Sequence, residues 1–246
     1  MPKNYASDLK CVSMMLSDKF YLRAVEPHIY SVLPENESGN EYDGQFGIMY
    51  DLIACNPLYN RVIWGYSIKI FSQLAYEALC LAKDGPVLDV GCGSLAFTAK
   101  VYSNYTERPV ILLDQSLKML RMAKTRLMKL NGKIADNLVF LHSDALCLPF
   151  KENSFSTIIS ENLLHCLNDT NPLLTQLQKI MAKNGKLFIT TLVRNNRWAD
   201  KYLQALADSG KLIPRYVDDH ATIFEQVGLA AKYETIGNLL LIRCDK

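Results

Sequence analysis

From residue 85 onward, short unbroken apolar runs alternate with amphipathic stretches of helical length. The runs at 86–90, 110–113, 138–141, 157–159 and 186–192 predict strands, and the stretches opening near Ser94, Ser116 and Pro172 predict helices. Strands that are apolar at every position are buried on both faces, which predicts a parallel sheet covered by helices on each side. The end of the chain differs. There the runs 230–236 and 239–242 flank Gly237-Asn238, a two-residue hairpin signal, so the sheet should finish in an antiparallel pair. Before residue 85 the pattern is helical. Ile70, Leu74 and Ala78 recur at helical spacing with Phe71 and Leu81, and Pro57 and Gly65 divide the stretch upstream into short pieces. Lys83-Asp84-Gly85-Pro86 then stops the helix. The first forty residues are mixed and close in the turn-rich Pro34-Glu35-Asn36-Glu37-Ser38-Gly39-Asn40.

Composition changes this picture mainly by exclusion. Lys and Arg number 27 against 25 Asp and Glu, a net charge of +2, which predicts no broad electrostatic footprint for nucleic acid. No run reaches the ~18–20 apolar residues of a membrane span, and the opening Met1-Pro2-Lys3-Asn4 lacks a signal-peptide core. The 7 cysteines include no Cys-x-x-Cys pair, so they read as buried thiols of a reducing compartment, and the expected location is the cytoplasm. Cysteines and histidines lack metal-ligand spacing, so no metal is expected.

The most informative local feature is Val87-Leu88-Asp89-Val90-Gly91-Cys92-Gly93-Ser94, a buried strand running into two glycines and then a helix capped by Ser94. Glycines allow a tight turn and let a ligand approach the backbone without meeting a Cβ. At the first strand of an open α/β sheet, such a loop lies where ligands bind. Gly91, Gly93 and Ala96 satisfy the GxGxxG/A pattern of dinucleotide sites, so a nicotinamide dehydrogenase is one reading. Asp89 argues against it, because a carboxylate at the strand mouth repels a pyrophosphate but suits an ammonium group. Asp114, ending the second strand, can accept two ribose hydroxyls; its alternative role is to cap the following helix. Together the two acids fit a ligand with a ribose and an amino-acid end.

The ordered series of motifs resembles the class I S-adenosylmethionine-dependent methyltransferases. Leu88-Asp89-Val90-Gly91-Cys92-Gly93 resembles that family's glycine-rich first motif, and Leu112-Leu113-Asp114-Gln115-Ser116 its acidic second motif. Ser143-Asp144-Ala145-Leu146-Cys147-Leu148-Pro149-Phe150 resembles the third, and Phe155-Ser156-Thr157-Ile158-Ile159-Ser160 with Leu163-Leu164-His165 resembles the fourth strand and its loop. Lys183-Asn184-Gly185-Lys186-Leu187 resembles the turn into strand five. The likeness is strongest to the quinone-biosynthesis and small-molecule branch. It departs at Leu95, where the family often has a third glycine or a small residue. The resemblance implies a Rossmann-like, mostly parallel seven-stranded sheet with helices on both faces, a C-terminal antiparallel hairpin and a helical N-terminal lid. It divides the chain into an accessory segment at 1–84 and a cofactor-binding core at 85–246.

The implied cofactor is S-adenosyl-L-methionine. Asp89, Gly91, Cys92 and Gly93 would hold its methionine end, Asp114 and Gln115 its ribose, and Asp144, Ala145 and Leu146 its adenine, with Glu161 alongside. The implied acceptor is a small organic molecule, methylated in line without nucleic acid or a transmembrane segment. An RNA or protein methyltransferase would show an appended basic or recognition region. A non-catalytic cofactor-binding partner protein would bind without consuming methyl groups. Among the 4 histidines, His165, in the loop after the fourth strand with Glu161 four residues before it, is the base candidate; His142 and His220 read as structural. Asn56-Pro57-Leu58-Tyr59 precedes the glycine loop and has Leu for a second Pro, unlike the Asn-Pro-Pro-Tyr motif of nitrogen methyltransferases. The helix after Asp114 carries Lys118, Arg121, Lys124, Arg126 and Lys129 opposite an apolar face, and these read as its solvated side, with contact to anionic lipid or RNA as the alternative. Tyr42-Asp43 and Tyr50-Asp51 are similar to the family's lid pairs. Phe at Tyr42 and at Tyr50 is expected to weaken cofactor affinity and turnover; calorimetry and rates unchanged in both variants would remove the lid assignment.

Overall fold

The computed structural model describes residues 12–34, 56–81 and 84–246; Tyr42 and Tyr50 lie outside them. The described strands are β1 (Arg23–Glu26), β2 (Ile29–Ser31), β3 (Val87–Val90), β4 (Val110–Asp114), β5 (Leu138–His142), β6 (Phe155–Glu161), β7 (Met181–Leu192), β8 (Ala231–Ile236) and β9 (Leu239–Asp245). They form one 9-stranded sheet in the order β1-β2-β5-β4-β3-β6-β7-β9-β8. Pairing is parallel from β2 through β7 and antiparallel at both ends, where β1 joins β2 and β9 joins β7 and β8.

The run from β5 to β8 is the expected seven-stranded sheet with its terminal hairpin. The edge strands β1 and β2 are an addition, placed where the sequence was read as mixed or lid-forming. At 3 residues, β2 is too short to show a period. It is held by tertiary contact instead, since Ile29, Tyr30 and Ser31 are all buried against β5.

Among the described residues lie the helices α1 (Pro57–Tyr59), α2 (Lys69–Leu81), α3 (Ala99–Ser103), α4 (Leu117–Asn131), α5 (Asn171–Ile180), α6 (Ala199–Asp208) and α7 (Val217–Val227). Asn56 caps α1, which runs into a π-helical turn at Asn60–Trp64 and ends at Gly65, as the breakers predict. Alternation along the strands sorts the core into two layers. Leu88 and Val90 of β3 join Leu173 and Leu177 of α5 and Phe224 of α7 on one face. Val87 joins Phe71 and Leu74 of α2, Tyr102 of α3 and Leu120 of α4 on the other.

Three expectations are corrected. Cys80, Cys147 and Cys166 are exposed, where buried thiols were expected. The inward stripe of α2 is Phe71, Leu74, Ala75, Ala78 and Leu79, whereas Leu81 is 52% exposed at the helix end. The helix expected from Ser94 begins at Ala99. Leu95 has a φ of 55°, in the left-handed region, so the chain turns there and cannot continue as a helix.

The terminal hairpin is locked onto the helical segment at Gly237. Its φ is 62°, and a Cβ there would lie 2.1 Å from the Trp64 carbonyl oxygen. That oxygen accepts the Asn238 N–H at 2.8 Å. Gly237→Ala is therefore expected to cost more than about 1 kcal/mol of stability, measured by urea unfolding, because both the backbone conformation and the close approach are lost.

Candidate functional site

Strand β3 sits where the sheet order reverses, with β4 leading away on one side and β6 on the other. The loops leaving these strand ends diverge and open a crevice. The ends of β3, β4, β5 and β6 wall a cavity of about 350 Å³. It is lined by Asp89, Gly91, Cys92, Gly93, Asp114, Gln115, Asp144, Ala145, Leu146 and Glu161, which are the cofactor residues named from the sequence within the described residues. A larger depression of about 540 Å³ lies at the opposite edge beside Arg108. There the guanidinium is spent on the carbonyls of Leu79 and Gly85 and the hydroxyls of Ser156 and Thr157.

The glycine loop is fastened at its base. The N–H groups of Gly91 and Cys92 donate to the Leu113 carbonyl at 2.8 and 3.0 Å. Gly91 has a φ of 73°, and a Cβ on it would press on Leu163 at 3.2 Å. Gly93, with a φ of 55°, faces open space that a side chain would fill. Asp114 ties the loop to β4: its Oδ2 accepts Gly93 N–H and its Oδ1 accepts Ser116 N–H, both at 2.8 Å. Ser116 is the cap of α4, its Oγ accepting Met119 N–H at 3.2 Å. Asp144 holds its own turn, Oδ1 accepting Leu146 N–H at 2.8 Å, and this sets Ala145 and Leu146 on the cavity wall.

The floor of the cavity is acidic and buried. Asp89 is 4% exposed, and its Oδ2 accepts the Tyr102 hydroxyl at 2.7 Å. Burial pushes its carboxyl up to about 7, opposed by the Tyr102 bond and reinforced by the charge of Asp114. Glu161 is held well above the usual carboxylate range by burial and by the charge of Asp89. Burial likewise raises the Cys92 thiol, with Asp114 and Asp89 adding to it, so it stays protonated. Glu161 Oε1 and Asn162 Oδ1 are buried with no hydrogen-bond partner. Once ionised, these carboxyls offer only acceptors, as the Asn162 oxygen does. A ligand seated on them has to bring N–H donors or positive charge.

Sequence reasoning missed three contributors. Tyr102 enters from α3, and the only signal was its place on the helix after the loop. Asn162 holds a φ of 58° beside the cavity. Arg126 was read as part of the solvated face of α4, yet its guanidinium grips the carbonyl oxygen of Ser94 at 2.6 Å and the Ser94 hydroxyl. Ser94 thus serves as an anchor of the loop and not as a helix cap. Arg121 and Lys124 are also engaged, on Glu26 of β1.

His165, the base candidate, is not among the residues that line the cavity. It belongs to the short helical turn Leu164–Cys166, whose Cys166 lines the cavity while the imidazole turns inward to β7. Its Nδ1 accepts Leu192 N–H at 3.2 Å and lies 3.2 Å from Thr191 Oγ1. Burial, with His220 and Arg215 nearby, lowers its pKa to about 4. His142 bridges Ser31 Oγ at 2.9 Å and the Gln115 carbonyl at 3.1 Å, and His220 is fully buried. No group of three or more metal-binding side chains occurs among the described residues.

A family model described as a methyltransferase domain matches residues 81–233. The chain belongs to that family. It is an S-adenosylmethionine-dependent methyltransferase related to the UbiE branch. The ubiquinone/menaquinone biosynthesis C-methyltransferase UbiE of Saccharophagus degradans is 23% identical over 202 residues, covering 79% of this chain and 80% of that one. Among solved structures, geranyl diphosphate C-methyltransferase from Streptomyces coelicolor A3(2) aligns with a TM-score of 0.60 at 12% identity, covering 72% and 75% of the two chains. The [4+2]-cyclase SpnF aligns at 0.62 and 15% identity, covering 83% and 96%. These last two likenesses concern the fold, and their different activities show how little the fold fixes the reaction.

The methyltransferase's cavity fits the family's cofactor. Its unpartnered acceptor oxygens suit an ammonium and a sulfonium, and the open space at Gly93 admits a ligand against the backbone. The raised carboxyl of Asp89 has a consequence for stability. Between the ordinary carboxylate pKa and about 7 the folded protein binds more protons than the unfolded chain, so stability falls as pH rises through that window. Asparagine carries no charge and can still accept the Tyr102 bond. Asp89→Asn is expected to raise the melting temperature of the ligand-free methyltransferase at pH 8 by roughly 5 °C. It should also weaken cofactor binding at least about tenfold; calorimetry and thermal scans check both.

Proposed function

We propose that this methyltransferase carries the methyl group of S-adenosylmethionine to a small organic acceptor in the cytoplasm. The observation that carries the reading is the convergence of Asp89, Asp114 and Asp144 from three successive strand ends on one cavity. When bound, the cofactor supplies an electrophilic methyl on a positively charged sulfur. Asp89 would hold the methionine ammonium, Asp114 the ribose hydroxyls and Asp144 the adenine amino group. For Asp114 this means keeping Gly93 N–H and Ser116 N–H while offering its remaining lone pairs, which a carboxylate has capacity to do.

The apolar part of the wall, with Leu95, Phe97, Met119, Leu163 and Leu167, favours a small hydrophobic acceptor. Its contribution to rate is positioning and the exclusion of water, since in-line transfer gains up to ~7–11 kcal/mol from alignment alone. The named activity of the UbiE relative, methylation at carbon in quinone biosynthesis, agrees with an acceptor of this kind.

Binding of S-adenosylhomocysteine tests the reading. Micromolar affinity is expected in the wild type, weakened at least about tenfold in Asp114→Ala, with no comparable binding of NADH. Binding without methyl consumption across a broad acceptor panel would instead support a partner protein that holds the cofactor without catalysis. Loss of neither affinity nor specificity in Asp114→Ala would remove the ribose assignment.

A further inference from the structure

Asp89 and Glu161 rise from the neighbouring parallel strands β3 and β6 and line the same cavity. They are unequally provided for. Asp89 has the Tyr102 hydroxyl at 2.7 Å on one oxygen, whereas Glu161 Oε1 is cut off from solvent and has no hydrogen-bond partner. Asn162, next along the chain, adds a second buried acceptor without a donor. Two carboxylates buried together cannot both ionise unless a positive charge enters between them. Because Tyr102 stabilises the charged form of Asp89, the protonated form falls preferentially on Glu161.

Resting on the reading of this cavity as the methyl-donor site, we propose that Glu161 is a donor-sensing residue. It holds a proton while the cavity contains no cation and releases it to solvent when the positively charged donor binds. The step is an acid dissociation: the O–H bond of the Glu161 carboxyl breaks, its electron pair stays on the carboxylate, and the proton passes to water. No oxidation or reduction accompanies it. The groups that face this pair are Tyr102, Asp114 and Cys92. Tyr102 and Cys92 are held neutral by burial and by the neighbouring acids, and Asp114 adds negative charge that acts on Asp89. The raised carboxyls of Asp89 and Glu161 agree with a site that stores protons until a cation arrives. Donor affinity should therefore fall as pH falls. The thioether product lacks the sulfonium charge, so the ionised pair holds it less firmly than the donor.

Calorimetric titration of S-adenosylmethionine at pH 6.5, in buffers of different ionisation enthalpy, reads the proton count. At this pH the ligand's own α-amino group, with an ordinary pKa of about 7.7–8.0, remains protonated. The wild type is expected to release about one proton or more per ligand bound. Glu161→Gln should release about one fewer, with affinity reduced up to roughly tenfold, while Glu161→Asp retains the release. Buffer-independent heats in the wild type would overturn the proposal while leaving the donor site standing, and this measurement needs no variant. The same release in Glu161→Gln as in the wild type would overturn it too. Failure of the donor to bind at all would overturn the site assignment, and the proposal with it.

Discussion

The structure depends on one constraint at β3. All four of its residues are buried, and its two neighbours lead the chain away in opposite directions. A parallel sheet with that arrangement leaves a crevice at the carboxyl end of the central strand whatever the side chains are. What they add is its chemistry. Asp89 lies inside this buried strand, so the carboxylate is set into the sheet itself and cannot retreat to water. Tyr102 is brought to it because α3 packs on the face to which Asp89 points. The cavity floor follows from strand period and helix packing together.

The loop above that floor is held against its own preferences. Leu95 occupies the left-handed region at a position where the family often has glycine, and its side chain is 1% exposed. A buried leucine gains hydrophobic stabilisation that offsets the conformational cost, each of the order of one to a few kcal/mol. Arg126 secures the same loop from outside through Ser94. The loop is therefore set by packing below and by a guanidinium above, with Asp114 joining it to β4. Such a rigid cradle reduces the ordering cost when a ligand is bound.

Legibility followed local pattern. Strands β3 to β7 and the terminal hairpin were readable because unbroken apolar runs and Gly237-Asn238 are short-range signals. The strand-end acids were readable because a motif places them at defined distances from those runs. The edge strands were not, since Ile29-Tyr30-Ser31 forms a strand only by pairing with β5. Arg126 was misread for a related reason. Helical periodicity places Arg126 outside the buried stripe of α4, but it cannot show that Ser94 lies within reach of the guanidinium. His165 illustrates the limit from the other side. Its position after β6 is what a base would need, yet its ring is turned to the Leu192 N–H, and no spacing encodes a rotamer.

The sheet order also shows that the family match and the sheet do not share their limits. The family match ends at residue 233, inside β8, yet β9 lies between β7 and β8 in the sheet. A fragment trimmed to the matched region would expose the hydrogen-bonding edge of β7, the row of groups most prone to pair with another chain. At the other side it would lose Ser31, whose hydroxyl lies 2.9 Å from His142 Nδ1. The matched region is thus shorter than the sheet it belongs to, and the strands outside it cover the edges that a trimmed sheet would bare.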